Sequence, residues 1–218
     1  MPASDFLQPT AFVDSDNEEV RTFAENAADR LPDAKARALA LYMAVRDRIV
    51  YDPYVDYTDP AVFRASGVLA AGRGFCIGKS ALLAASARAL GIPARPGFAD
   101  VRNHLTSKKL SALTGSDTFR WHSYTELLIK GSWVKCTPAF DSALCERAGL
   151  APLDFDGVTD SLFHPFDPAG RRHMEYLGER GAFEDVPVDA IMVDFHRHYP
   201  RLVEHGRMGG DFHAEVGA

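Results

Sequence analysis

GRGFCIGKSALLAASARALGIPARPG, residues 72–97, is the stretch whose reading decides the fold. Gly72 and Gly74 permit a tight approach to a helix, and from Cys76 to Leu90 the only charged side chains are Lys79 and Arg88. A helix that apolar is buried on most sides. Gly91 suits a left-handed cap after it, and Pro93 forbids continuation, so a strand can begin over Ile92 to Val101. Cys76 therefore falls in the first turn of a buried helix, where unpaired N–H groups and the helix dipole favour a thiolate over a thiol. Such a site with a cationic neighbour brings a cysteine pKa from roughly 8.5 to ~3.5–7.5. Cys76 is a candidate nucleophile; the alternative is a small buried apolar residue, and a partner base decides between them.

Downstream, HSYTELLI (122–129) and SWVKCT (132–137) are joined by Lys130-Gly131, a two-residue connection that makes a β-hairpin. Pairing Ile129 with Ser132 sets Leu128 opposite Trp133, Glu126 opposite Lys135, Tyr124 opposite Thr137 and His122 opposite Ala139. Those residues share one face, while Cys136 points to the other and reads as structural. The polar stretch from Arg102 to Phe119 reads as a loop able to cover a site as a mobile lid. A cysteine at a helix start and a histidine at the start of a strand are the two elements of an activated thiol.

Upstream, Val20, Phe23, Ala24, Ala27 and Leu31 recur at helical spacing up to Pro32. Asp33 can cap a second helix with Ala36, Leu39, Ala40, Met43 and Ile49 on its apolar face and Arg46 and Arg48 solvated. Residues 51–74 carry two Asp-Pro pairs and three tyrosines, an irregular path into a short helix; its tyrosines fit a loop surface or a cleft wall. Past Asp141, turn signals at Asp156-Gly157 and Asp167-Pro168 suggest loops and short strands packed on the core. A last helix runs from about Pro187 to Tyr199, ended by Pro200. His196 and His198 point in different directions on it, so with His205 and His213 they do not argue for a metal.

A length of 218 residues, 46% hydrophobic and 25% charged, fits one domain over 1–218, with a core at about 33–141 and an extension over 142–218. A net charge of -6 and the lack of a dense Lys/Arg run argue against a nucleic-acid partner. No leader-like segment and no bilayer-length apolar run is visible, so the expectation is a soluble cytoplasmic protein without a membrane partner. Three cysteines without close spacing suggest neither a disulfide framework nor a metal knot.

The glycine–cysteine stretch followed by WHSYTELLIKGSWVKCTP (121–138) resembles the core of the transglutaminase-like superfamily over roughly Asp33 to Asp141. The matching features are Gly-x-Cys opening a buried helix, Gly-Ile-Pro-Ala-Arg leading into a strand, a histidine heading a hairpin, and Gly-x-Trp-Val in the return strand. Families with this core resemble papain in using a Cys-His-Asp site, and include transglutaminases, bacterial cysteine peptidases, peptide N-glycanases and, more distantly, arylamine acetyltransferases. The resemblance implies an α+β papain-like fold whose buried helix, with Cys76 as nucleophile, packs on an antiparallel sheet carrying His122 as base. It implies acyl transfer or hydrolysis on a peptide or amide substrate through a thioester, with no cofactor. The Cys76 N–H would be one oxyanion donor, and Tyr51 or Trp121 could supply a second.

Where the family usually places Asp before the proline after Trp-Val, this chain has Thr137; after the cysteine it has Ile77-Gly78-Lys79 instead of an early acidic residue. Asp141 is the candidate orienting carboxylate, because 137, 139 and 141 would face the side of His122 in a regular strand. It is equally suited to capping a helix that begins at Ser142. The competing reading is the same fold kept as a binding module.

Overall fold

Capping side chains, glycines and prolines divide the chain into elements that build a helical layer first and a sheet second. The computed structural model describes residues 2–28, 30–103, 106–163, 170, 174–204, 206 and 209–216. Helix α1 (Glu18–Ala28) is followed by α2 (Ala34–Arg48), which starts where Asp33 accepts the Ala36 N–H. Strand β1 (Val50–Tyr51) leads through a helical turn at Pro60–Phe63 to α3 (Ala65–Ala71), stopped by Gly72 at φ 63°. Strand β2 (Arg73–Gly74) pairs in parallel with β1 and feeds α4 (Cys76–Ala89). Then come β3 (Ala94–Asn103), α5 (Lys108–Thr114), β4 (Thr118–Ile129), β5 (Ser132–Cys136), α6 (Ser142–Ala148) and β6 (Met174–Ala182). Helices α7 (Val188–His198), α8 (Pro200–Val203) and α9 (Phe212–Glu215) end the described chain.

The core is an α+β arrangement in which α4 lies between α1, α2 and α3 on one side and strands β3 and β4 on the other. Every residue of α4 from Ile77 to Arg88 is buried. Its small residues permit that crowding: a Cβ at Gly78 would stand 2.5 Å from the Val62 carbonyl oxygen. Its charged residues are buried because each finds carbonyls. Lys79 Nζ donates to Arg46 O at 2.9 Å and Ile49 O at 2.6 Å, at the end of α2. Arg88 reaches Ala94 O at 2.9 Å, Gln8 O at 2.7 Å and Glu184 O at 2.5 Å, tying both terminal regions to the central helix.

The antiparallel sheet has the order β5-β4-β3-β6. Its hairpin has the expected register from Ile129↔Ser132 to Glu126↔Lys135, around a turn with Lys130 at φ 51° and Gly131 at φ 85°.

Several expectations need correction. Residues 102–119 are not a structureless loop: Ser107 accepts the Leu110 N–H and starts α5, and Gly115 at φ 63° ends it. Residues 104 and 105 of that stretch, with Asp167-Pro168 and His205, lie outside the described residues. Arg46 is not solvated but buried, donating to Leu153 O at 2.7 Å and paired with Asp47 at 2.8 Å. Helix α7 ends at His198 with Tyr199 as its C-cap, just before Pro200 as expected, and Pro200 then opens the short α8, its missing N–H costing nothing at a helix start. Beyond Asp141 the chain also supplies β6, a nine-residue strand that pairs with β3 at the edge of the central sheet. Among the described residues no helix is long and apolar enough to cross a membrane.

Candidate active site

Cys76 is the first residue of α4, and its N-cap Phe75 makes no side-chain hydrogen bond to the first turn. His122, 8% exposed, comes from β4. Both line one cleft with Tyr51, Tyr57, Phe75, Trp121 and Tyr199. Two buried hydroxyls lock the helix to the strand. Ser80 Oγ donates to Tyr124 O at 2.6 Å and lies 2.8 Å from Thr125 Oγ1, which reaches Ser80 O at 3.1 Å.

Burial in this aromatic cleft pushes the Cys76 thiol up to about 11, against the downward pull of the N–H groups of Ser123, Ile77 and Cys76 itself. The low pKa expected from a helix start is therefore outweighed by desolvation. Cys76 is still the accessible thiol: it is half-buried, while Cys136 and Cys145 are buried. Burial also pushes the Tyr51 and Tyr57 phenols well above their ordinary value, with Cys76 as a neighbour adding to it, so both remain protonated. Of the two side chains expected as a second oxyanion donor, Trp121 is committed, its Nε1 donating to Asp194 Oδ2 at 2.8 Å. Tyr51 lines the cleft with a protonated phenol.

Strand β5 does not extend regularly to residue 141. It ends at Cys136, and the Thr137 N–H bonds to Ser161 O at 2.9 Å just before Pro138, which has no N–H to pair. Asp141 sits at the N-cap of α6. Its Oδ1 accepts the Leu144 N–H at 2.9 Å; its Oδ2 accepts the Tyr51 N–H at 2.9 Å and lies 3.1 Å from His213 Nε2. His122 is not among those partners. Thr137 and Ala139, with His122, line a small apolar cavity beside the cleft, and Thr137 Oγ1 is buried there with no hydrogen-bond partner among the described residues.

Sequence reasoning did not anticipate the polar cluster of Asp100, Arg180 and Asp194 around Trp121. Nothing local signals it, since its members come from β3, β6 and α7.

The profile of the transglutaminase-like superfamily matches residues 21–138, more than half the chain, and the protein belongs to that superfamily. The matched span includes Cys76, His122 and Thr137 and ends before Asp141. The fold is similar to that of a proposed cysteine protease from Cytophaga hutchinsonii, with a TM-score of 0.50 and 19% identity over 85% of this chain and 48% of that one. The chain thus spans about half the length of that structure. A proposed protease from Parabacteroides distasonis aligns with 54% of this chain and 22% of its own, at 16% identity and a TM-score of 0.38. A comparison with curated proteins finds no match.

Proposed function

We propose that the protein is a cysteine-dependent hydrolase or acyltransferase acting on a peptide or other amide through a thioester at Cys76. The observation that carries this reading is that Cys76, at the start of the buried helix, and His122, on the sheet, line one cleft. His122 takes the thiol proton as Cys76 Sγ bonds to the acyl carbon; a raised thiol pKa makes that transfer part of the attack. The Cys76 N–H and the Tyr51 phenol are the proposed donors to the oxyanion. The carbon–nitrogen bond then breaks and the leaving amine takes the proton from His122; water or an amine next attacks the thioester as His122 accepts its proton, the carbon–sulfur bond breaks, and the departing Cys76 sulfur takes that proton back. Asp141 enters this reading as a positioning residue that anchors the Tyr51 backbone, since its carboxylate is engaged there and at the α6 cap. The binding-module reading is favoured by Thr137, which stands where the family's carboxylate is usual.

Treatment with p-nitrophenyl acetate followed by peptide mapping separates the two. The acyltransfer reading expects an acetyl group on Cys76 that is absent from Cys76→Ala and slow to form in His122→Ala. Acetylation confined to other residues contradicts it.

A further inference from the structure

In a regular strand consecutive side chains face opposite sides, yet Phe119, Arg120, Trp121 and His122 all line the cleft. A bulge makes this possible. On β3, Ala99 pairs with His122 and Val101 with Phe119, so Arg120 and Trp121 together oppose the single residue Asp100. Trp121 adopts φ 60°, a left-handed conformation that a bulky side chain rarely takes and that surrounding contacts must impose. The other edge of β3 is irregular at the same level. Phe98 pairs with Gly181 and Ala99 with Glu179, which leaves Arg180 as the extra residue of β6.

Both irregularities converge on Asp100. Its Oδ1 accepts the Trp121 N–H at 3.1 Å and Arg180 Nε at 2.5 Å; its Oδ2 accepts Arg180 Nη2 at 2.9 Å and Arg120 Nη1 at 3.4 Å. The Arg180 guanidinium lies 4.4 Å from the centre of the Trp121 ring and pairs with Asp194 at 2.8 Å, the carboxylate that also holds the indole N–H. The second bulge amide, Arg120 N–H, goes to Tyr199 Oη at 2.8 Å. The main-chain donors displaced by the bulge are therefore met by side chains, and the strained residue is held on its backbone, its indole N–H and its ring face.

We propose that Asp100 and Arg180 are positioning residues for His122, holding the bulge whose left-handed step at Trp121 aims the next side chain at Cys76; this rests on the Cys76–His122 reading above. A bulge of this kind bends its strand and redirects the residue beside it, which here is His122. Asp100 and Arg180 act through Trp121 and touch neither the thiol nor the substrate. A purely structural role would alter stability and leave the histidine-dependent chemistry of Cys76 as it was.

The test is the rate of Cys76 alkylation by iodoacetamide across pH 5 to 9, measured on the full chain with melting temperatures alongside. His122→Ala defines the profile without the base. Asp100→Ala is expected to fold and to move to that profile, with about a ten-fold slower rate at pH 7, while Asp100→Asn, which keeps an acceptor for the Trp121 N–H, recovers most of the wild-type rate. If Asp100→Ala does not fold, Arg180→Gln takes its place with the same expected shift. A wild-type profile in Asp100→Ala, or in Arg180→Gln where that variant decides, overturns this inference and leaves the Cys76–His122 reading standing. An unchanged profile in His122→Ala overturns both.

Discussion

Ser80 Oγ on α4 lies 2.8 Å from Thr125 Oγ1 on β4, and both side chains are fully buried. The pair stands one helical turn past Cys76 and three residues past His122, so it joins the two elements that supply the proposed chemistry. Ser80→Ala strips the Tyr124 carbonyl of its buried 2.6 Å donor. The expected cost is about 1–3 kcal/mol of folding stability. Urea unfolding of the variant checks it, and Cys76 acylation should slow in parallel, because misplacing the helix against the strand spoils the approach of imidazole to thiol.

Thr137 and Asp141 should behave in opposite ways. Thr137 Oγ1 is buried with no partner among the described residues, so Thr137→Val, close in volume, should leave stability unchanged or raise it by about 1 kcal/mol. Asp141→Ala removes the α6 cap and the anchor of the Tyr51 N–H, and should cost about 2 kcal/mol. Thermal melts of both variants give the comparison; a Thr137→Val variant that is the less stable of the two would mean that the hydroxyl has a hidden partner.

Lys79 makes stability depend on pH. Burial lowers its pKa from 10.5 to about 7, so above neutrality the folded chain holds a neutral amine while the unfolded chain still binds a proton. The unfolded state then binds more protons, and stability due to this group rises from about pH 7 toward 10 and is lost as pH falls through 7. Relative to Lys79→Met, the wild type should gain about 2 kcal/mol between pH 7 and 9, at 1.4 kcal/mol per unit of pH for one proton. Denaturant titrations at the two pH values measure this; parallel behaviour of the two proteins would mean that Lys79 is charged in the fold.

Helix α5 should open more readily than the helix it faces across the cleft. It is seven residues long and buries Leu110 and Thr114, whereas α4 is buried along nearly its whole length. Hydrogen exchange should therefore be faster at residues 108–114 than at 77–88, and equal protection would argue against a cleft that opens on this side.

What the sequence disclosed and what it withheld divide by range. Helix α4 is bounded by glycine and proline signals within a few residues of its ends, and the hairpin by Lys130-Gly131, so both are legible locally. The cap signals of α5, Ser107 and Gly115, were present too, but a run of Ser, Thr and Lys masked its short apolar face. Arg46 is buried because Leu153, far along the chain, supplies a carbonyl. The bend after β5 departs from simple strand parity because Pro138 and the pairing of Thr137 with Ser161 end the ladder. The bulge before His122 depends on Asp100, Arg180 and Asp194 meeting across three elements, and no window of sequence contains all three. The thiol's raised pKa follows from burial in the aromatic cleft, which likewise exists only in the fold.

The most direct test of the central claim is which cysteine reacts first in the folded protein and whether His122 governs it. Burial raises the pKa of all three thiols, so helix position alone does not single one out; Cys76 differs in being partly exposed and in lining the cleft that His122 also lines. Brief iodoacetamide labelling at pH 7 with mass-spectrometric quantitation should find Cys76 modified ahead of Cys136 and Cys145, and His122→Ala should slow Cys76 by at least about ten-fold without touching the other two. Faster labelling of Cys136 or Cys145, or a Cys76 rate indifferent to His122, would contradict the account.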